Sequence, residues 1–244
     1  LLGGRVLIAC AIPPLAFGHV LTHRTTAQVG SDDQSIPCPL SAVFAAIVSS
    51  QRAQASAPPG WSEQFAERVI DVVLPGYAVF TPEDLRIAAA RLLHEGSVRI
   101  KSPWDAGGLG QHVVASLADL EPLIEQAGPG PWLEDGFVVE RNLEEVATVI
   151  VGQVALEGIR ASYVGRQRLT RNHDGVWVYG GTDLLCTPGG LDTLRQLPLT
   201  GDQRLAVEQA RCYHDEALQC FPNTYASRAN YDVAQGRDAG SRWY

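Results

Sequence analysis

The clearest alternation of apolar and polar positions begins at Tyr77 and predicts a repeat of strands and helices. Thr81 is a predicted N-cap with Pro82 at the first helical position, and the apolar spacing that follows indicates a helix ending at Gly96. A second helix opens at the Ser116 capping box and ends before a Gly-Pro-Gly-Pro run. Four β-prone runs surround these helices, at Tyr77–Phe80, Ser97–Lys101, His112–Ala115 and Phe137–Glu140. The predicted order is β-α-β-β-α-β, which is typical of an α+β fold whose helices cover a sheet.

Less regular segments flank this repeat. Upstream, Ser62 is a predicted N-cap for a helix that ends at Pro75-Gly76, and the pattern before it specifies no fold. Downstream, a second antiparallel sheet is predicted with a turn at Asn172–Gly175. Its strands are predicted at Ala147–Ala155, Ser162–Leu169, Val176–Tyr179 and, near the end, Tyr231–Ala234. Two helices are predicted between the last two strands, at Leu191–Leu197 and Gln203–Phe221.

Charge and cysteine content narrow the possible partners and compartment. The formal net charge of -8 at pH 7 disfavours a binder of nucleic-acid backbones, so nucleic acid is not an expected partner. Five cysteines without a C-x-x-C pair predict neither a zinc knuckle nor a disulfide framework, which favours a reducing, cytoplasmic location. The apolar stretch Val6–Phe17 is too short to span a bilayer and contains two prolines, so no membrane partner is expected.

Lys101 is the most informative basic residue, because it is the only lysine among 19 basic residues. It ends a predicted strand, and Gly107, Gly108 and Gly110 follow in a loop that leads to Gln111. Glycines let backbone N–H groups converge on an anion, and the lysine adds a point charge, so the segment suits a phosphate site. The alternative is a glycine-rich hairpin beside an exposed lysine. No G-K-[ST] sequence is present, which excludes a Walker loop, and no helix follows Gly110 as a Rossmann fingerprint requires.

The apolar strand Val138-Val139-Glu140 ends in a carboxylate and leaves into an irregular connector. Such a connector suits a hinge whose backbone amides pair with the edge of a base, although an edge-strand glutamate in solvent has the same pattern. Glu144 and Glu145 follow, and either carboxylate could bind ribose hydroxyls or simply solvate a loop.

Taken in this order, the strands, capped helices, Lys101, glycine loop and hinge resemble the nucleotide-binding half of the ATP-grasp superfamily. Three later motifs are similar to an uncharacterised bacterial family of unknown function within that superfamily. These motifs are His173-Asp174-Gly175, Tyr179-Gly180-Gly181-Thr182-Asp183 and Asn230-Tyr231-Asp232-Val233-Ala234-Gln235-Gly236. The resemblance covers Trp61–Tyr244.

The resemblance implies an ATP-grasp fold in which two α+β subdomains hold ATP between their sheets. The expected divisions are an N-terminal, possibly incomplete α/β segment at 1–75, a nucleotide-binding subdomain at 76–143 and a second subdomain at 144–244. It further implies that Lys101 contacts the α- and β-phosphates and that the three glycines form a lid, with Gln111 also in the nucleotide site. Val138, Val139 and Glu140 form the implied adenine hinge. The implied reaction is ATP-dependent joining of a small carboxylate to an amine or thiol through an acyl phosphate.

A magnesium ion is also implied by the resemblance. Asn230 and Asp232 are two residues apart and therefore on one face of an extended segment, and they match the superfamily's late acidic/amide pair loosely. An Asx turn explains the same pair equally well. The superfamily's second phosphate-binding lysine and its Glu-x-Asn metal pair are not evident, so a kinase-like phosphotransferase and a non-catalytic nucleotide-binding module stay open as alternatives.

Two further groups are predicted to be surface features. His214-Asp215 lies in a predicted helix where adjacent side chains diverge, so it is interpreted as exposed. Arg166, Arg168 and Arg171 could hold phosphate or an acidic substrate, but a solvated strand face is favoured.

Overall fold

The computed structural model describes residues 62–101, 111–128, 136–173, 175, 177–222 and 227–240. The predicted elements of the N-terminal 61 residues, and the glycines at 107, 108 and 110, lie outside the described residues. The helices are α1 Glu63–Val69, α2 Pro82–Leu93, α3 Leu120–Ala127 and α4 Gly201–Cys220, with 3₁₀ turns at Leu117–Asp119 and Leu191–Gln196. The strands are β1 Gly76–Val79, β2 Val98–Lys101, β3 Gln111–Val114, β4 Phe137–Arg141, β5 Glu144–Leu156, β6 Ile159–Arg171, β7 Trp177–Pro188 and β8 Arg228–Arg237.

The helix starts follow the predicted capping residues. The Ser62 hydroxyl accepts a hydrogen bond from the Phe65 amide at 3.1 Å, and Thr81 accepts one from Asp84 at 3.0 Å. α4 begins two residues earlier than predicted, because Thr200 forms a capping box with its third helical residue. Among the described helices, none is both long and apolar enough to cross a membrane.

β1 to β4 form an antiparallel four-stranded sheet in the order β1-β4-β2-β3. One face of this first sheet packs its apolar side chains against α2 and α3 in a buried cluster. Because successive side chains of a strand alternate between faces, Lys101 and Glu140 lie on the opposite face. The first sheet therefore has a helix-covered face and a face that carries buried charge.

β5 to β8 form a second antiparallel sheet in the order β7-β6-β5-β8, which confirms the predicted α+β class with two antiparallel sheets. One face packs against α1 and α4 in the larger apolar cluster, where the rings of Phe65 and Tyr213 meet edge to face at 5.0 Å between centroids. The opposite face carries Asn230 and Asp232, which are buried although they are polar. We call this second surface the open face.

The segment after β8 ties the second sheet to the first. Arg141, at the end of β4, donates a hydrogen bond to Asp238 at 3.1 Å, and both side chains are buried. Arg141 also contacts Glu95, which follows α2. Gly96 has a φ of +141°, and a Cβ at this position would lie 2.6 Å from the Ala239 Cβ. Close packing at this junction therefore requires glycine at position 96.

Candidate functional site

The centre of the site is an ion pair between Lys101 on β2 and Glu140 on β4. The strand order makes β2 and β4 neighbours, and the register places Lys101 opposite Val138 and Arg99 opposite Glu140. Lys101 and Glu140 are each only 6% exposed, and the ammonium group contacts the carboxylate. Lys101 is thus a buried, paired cation and not the exposed lysine of a surface hairpin.

The ammonium group of Lys101 has unused hydrogen-bonding capacity. Burial lowers the pKa of Lys101, and the nearby Glu140 carboxylate opposes that effect. Apart from the ion pair with Glu140, the described residues provide no hydrogen-bond partner for the ammonium nitrogen. Because an ammonium group carries three donors, this position fits an additional anionic ligand such as a phosphate.

A chain of polar side chains crosses the open face of the second sheet. The Tyr163 hydroxyl donates to the Asn230 side-chain oxygen at 2.9 Å, and the Asn230 amide donates to Asp232 at 3.0 Å. Gln167 donates to the other oxygen of Asp232 at 3.3 Å. These hydrogen bonds order four side chains from β6 and β8, although β5 lies between the two strands.

Gly152 on β5 makes this crossing possible. It is paired with Tyr163 on one side and with Asn230 on the other. A Cβ at position 152 would lie 2.2 Å from the Tyr163 ring, so any larger residue would block the path of the ring over β5. A glycine inside a strand often marks such a close approach.

Asp232 connects the two sheets electrostatically. Burial raises the pKa of Asp232 to about 6, while its hydrogen bonds from Asn230 and Gln167 and the charge of Lys101 act in the opposite direction. The charges of Asp232 and Lys101 are thus close enough to interact. The buried cation of the first sheet and the buried carboxylate of the second sheet therefore influence each other's pKa.

The oxygen atoms of Asn230 and Asp232 are the candidate metal ligands. Within the described ranges, no three His, Cys, Asp or Glu side chains cluster closely enough to hold a metal ion. A carboxylate and an amide oxygen nevertheless fit Mg²⁺ that retains waters and is completed by substrate phosphates. The assignment of these two residues to a metal stays a prediction.

The other predicted nucleotide contacts have different surroundings. Val138 lies buried on the same face as Lys101, whereas Val139 is part of the helix-covered core. Gln111 accepts a hydrogen bond from Arg99 at 3.0 Å. Glu145 is exposed and has a φ of 53°. Its Oε2 lies 3.7 Å from the Nε of Arg237, so the side chain is directed to the end of β8.

The structure corrects the interpretation of His214 as a surface residue. His214 is partly buried, and its Nδ1 lies 2.7 Å from the Tyr231 hydroxyl. Burial lowers its pKa, with Arg160 acting in the same direction and Asp215 against it. The solvated interpretation holds for Arg166 and Arg168, which are exposed. They pair with Asp202 at 3.0 Å and with Asp183, respectively.

Sequence reasoning did not identify Tyr163 and Gln167. Both lie on a strand whose polar residues look like ordinary solvent-facing positions, and their partners are more than 60 residues away in the chain. The one available signal was Gly152, a glycine that directly follows the apolar run Val149-Ile150-Val151.

A family model described as "Protein of unknown function (DUF3182)" matches residues 40–244. The chain belongs to this family. Membership of DUF3182 confirms the predicted resemblance to an uncharacterised family. Comparison of the DUF3182 chain with the curated proteins gave no match.

Several solved structures are similar to the DUF3182 chain. D-alanyl-alanine synthetase A from Vibrio cholerae O1 biovar eltor str. N16961 is 15% identical, with a TM-score of 0.44 over 70% of this chain and 48% of that one. Carboxyaminoimidazole ribonucleotide synthase from Aspergillus clavatus, complexed with ATP, is also 15% identical, with a TM-score of 0.38 over 70% and 38%. ATP-grasp ligase PsnB, complexed with a minimal precursor, is 13% identical, with a TM-score of 0.36 over 74% and 48%. The match therefore spans less than half the length of each of these proteins.

Proposed function

We propose that this chain binds ATP between its two sheets and uses it to activate a small carboxylate for joining to an amine or thiol. The observation that carries this proposal is the buried Lys101–Glu140 pair, whose cation has unused donors and interacts with Asp232 of the opposite sheet. Burying each ion costs several kcal/mol, and a buried ion pair is often no more stabilising than hydrophobic residues of similar volume. Such strongly perturbed groups cluster at functional sites.

The phosphates of ATP fit beside Lys101. Glu140 holds the ammonium group in place, and the remaining N–H donors of Lys101 can bind phosphate oxygens. The sequence resemblance assigns the α- and β-phosphates to this residue, and the glycines at 107, 108 and 110 to the loop above them.

The connector after β4 fits the base of the nucleotide. The amide of Arg141 donates to the Pro75 carbonyl at 3.0 Å, and the amide of Asn142 donates to Ser97 at 3.1 Å. Leu143 is the first connector residue whose amide has no backbone acceptor among the described residues. We therefore assign the adenine contact to the Leu143 amide, with Glu140 acting through Lys101.

The proposed reaction has two balanced steps. A carboxylate oxygen of the substrate attacks the γ-phosphorus, the bond to the β-γ bridging oxygen breaks, and ADP leaves. The amine nitrogen or thiol sulfur then attacks the acyl carbon, loses its proton, and inorganic phosphate leaves. Mg²⁺, held by Asn230 and Asp232, would supply charge neutralisation at the phosphate oxygens. Lys101 contributes the protein's own positive charge at the same phosphates.

Trapping with hydroxylamine tests this reaction class. The full chain is incubated with Mg-ATP, a panel of amino acids and short carboxylic acids, and hydroxylamine, which converts an acyl phosphate to a stable hydroxamate. We expect ADP and hydroxamate to form in equal amounts with at least one acid. ADP with a stable phosphorylated product and no hydroxamate would instead indicate a phosphotransferase, and nucleotide binding without any ADP release would indicate a non-catalytic module.

A further inference from the structure

We propose that Arg228 and Tyr163 form a subsite on the open face that binds a carboxylate group of a substrate which does not itself react. The inference rests on the proposed function, because it names a feature of the substrate at the same site. It predicts that the acid has a second carboxylate, or that the amine or thiol substrate is itself an acid.

The position of Arg228 defines the geometry of this subsite. Arg228, Asn230 and Asp232 are at alternate positions of β8 and therefore share one face. Arg228 and Asp232 are four residues apart, which corresponds to about 13 Å along a strand. A carboxylate bound by Arg228 therefore lies at the end of the polar chain that is farther from Asp232, and we assign the carboxylate that attacks the phosphate to the Asp232 end.

The charge of Arg228 is not compensated locally. In the described part of the chain, no carboxylate pairs with Arg228, whereas Arg166 and Arg168 of the neighbouring strand each pair with an aspartate. Arg228 is also exposed, so its guanidinium is accessible to a ligand. An arginine presents a planar fork of donors that matches a carboxylate bidentately.

Tyr163 lies near Arg228 on the open face. Its hydroxyl donates its one proton to Asn230, so it can only accept a hydrogen bond from Arg228. Burial raises the pKa of Tyr163, and the adjacent Arg228 opposes that rise by hydrogen bonding and by its charge. In the sheet register, Tyr163 is level with Asn230 and one alternate position away from Arg228 on the same face, which links the subsite to the polar chain that ends at Asp232.

The surface beside Arg228 is apolar. Val154 is directly opposite Arg228 in the β5–β8 register and is 38% exposed. A ligand with an aliphatic chain can bind its carboxylate at Arg228 and pack its carbon atoms on Val154. This combination favours organic acids over inorganic anions.

Acetate is the probe that isolates this interaction, and acetamide is its neutral control. Saturation transfer from the full chain to the methyl protons of each probe gives a dissociation constant without nucleotide present. We expect acetate to bind better than acetamide, and the dissociation constant for acetate to increase about tenfold in Arg228→Gln, as the loss of a charge-assisted pair predicts. Tyr163→Phe should weaken acetate binding by a smaller factor.

Arg204→Gln is the matched control. Arg204 is another exposed arginine, and in the described part of the chain it has no carboxylate partner and donates only to the Leu199 carbonyl, at 3.4 Å. Acetate affinity should be unchanged in this variant. Acetate binding that equals acetamide binding, or that survives Arg228→Gln in a folded protein, would overturn the subsite. Tighter binding of inorganic phosphate than acetate would overturn the assignment to carboxylates.

A separate titration of the wild-type chain with an ATP analogue distinguishes this proposal from the proposed function. Nucleotide binding without preference for acetate overturns the subsite alone. Arg228-dependent acetate binding without nucleotide binding supports an acid-binding face and overturns the proposed function.

Discussion

At the scale of single residues, the site is built from polar groups that burial penalises. Lys101, Glu140, Asn230 and Asp232 are each less than a tenth exposed. Hydrogen bonds and the ion pair offset part of the desolvation cost, which is several kcal/mol for each buried ion. The pKa of Asp232, raised to about 6, reflects the part of that cost that its hydrogen bonds do not offset.

His214 gives the stability of the protein a pH dependence of defined sign. Because burial lowers its pKa in the folded state, the unfolded chain binds more protons as pH falls through the ordinary value of 6.5. We expect the contribution of His214 to the free energy of unfolding to be lost as the pH falls from 8 to 5. Asp232, whose pKa is raised to about 6, contributes in the opposite direction in the lower part of this range, so the difference between the wild type and His214→Gln isolates the effect of His214. Urea denaturation at a series of pH values measures both curves, and parallel curves would show that His214 is not the group responsible.

Single residues differ in how far the sequence could reveal their role. Lys101 could be selected because no other lysine exists in the chain. Its partner Glu140 could not be identified from the sequence. The contact between them depends on β4 lying next to β2, which is a property of the sheet order and not of the local sequence. His214 was misinterpreted for the same reason, since the Tyr231 hydroxyl that contacts it belongs to the sheet under α4.

At the scale of elements, the central strand β5 depends on a glycine to bring β6 and β8 side chains together. Gly152→Ala would place a Cβ 2.2 Å from the Tyr163 ring, and we expect it to lower the free energy of unfolding by about 1–3 kcal/mol. The double variant Gly152→Ala/Tyr163→Leu should lose less stability than the two single changes combined, because the smaller side chain removes the overlap.

Gly201→Ala is the control for this prediction. A Cβ at position 201 meets no atom within 4 Å, so alanine there should be neutral or slightly stabilising. Urea denaturation of the four variants compares the effects directly. Equal effects at positions 152 and 201 would contradict the account of how Tyr163 crosses β5.

Element boundaries were predictable where local signals were strong. The caps at Ser62 and Thr81 fixed the starts of α1 and α2, because capping chemistry is local. The Ser116 capping box instead opens the 3₁₀ turn at Leu117–Asp119, and α3 begins only at Leu120. β7 was predicted to end at Tyr179, but it continues to Pro188. The pairing with β6 is irregular next to Gly180, and a Cβ there would lie 2.9 Å from Thr170, so these glycines mark a bulge within the strand and not its end.

At the scale of the whole molecule, the buried contact between Arg141 and Asp238 fixes the end of β4 to the segment after β8. Arg141→Met removes the cation from two acidic partners, Glu95 and Asp238, and we expect it to cost about 3 kcal/mol or more in the free energy of unfolding. Arg166→Met removes an exposed pair with Asp202 and should cost less than about 1 kcal/mol. Similar losses in the two variants would show that the junction is not a major source of stability.

The central claim is that Lys101 forms the phosphate end of a nucleotide site, and calorimetric titration with a non-hydrolysable ATP analogue, with and without Mg²⁺, tests it most directly. Lys101→Ala is compared with the wild type and with Arg204→Ala, which lies outside the site. Because removing one partner of a buried pair destabilises a protein, Lys101→Met/Glu140→Gln serves as a second variant without either charge. We predict nucleotide binding by the wild type and by Arg204→Ala, and affinity at least about tenfold weaker in both Lys101 variants. Unchanged affinity in a folded Lys101 variant, or no binding by the wild type, would contradict the account.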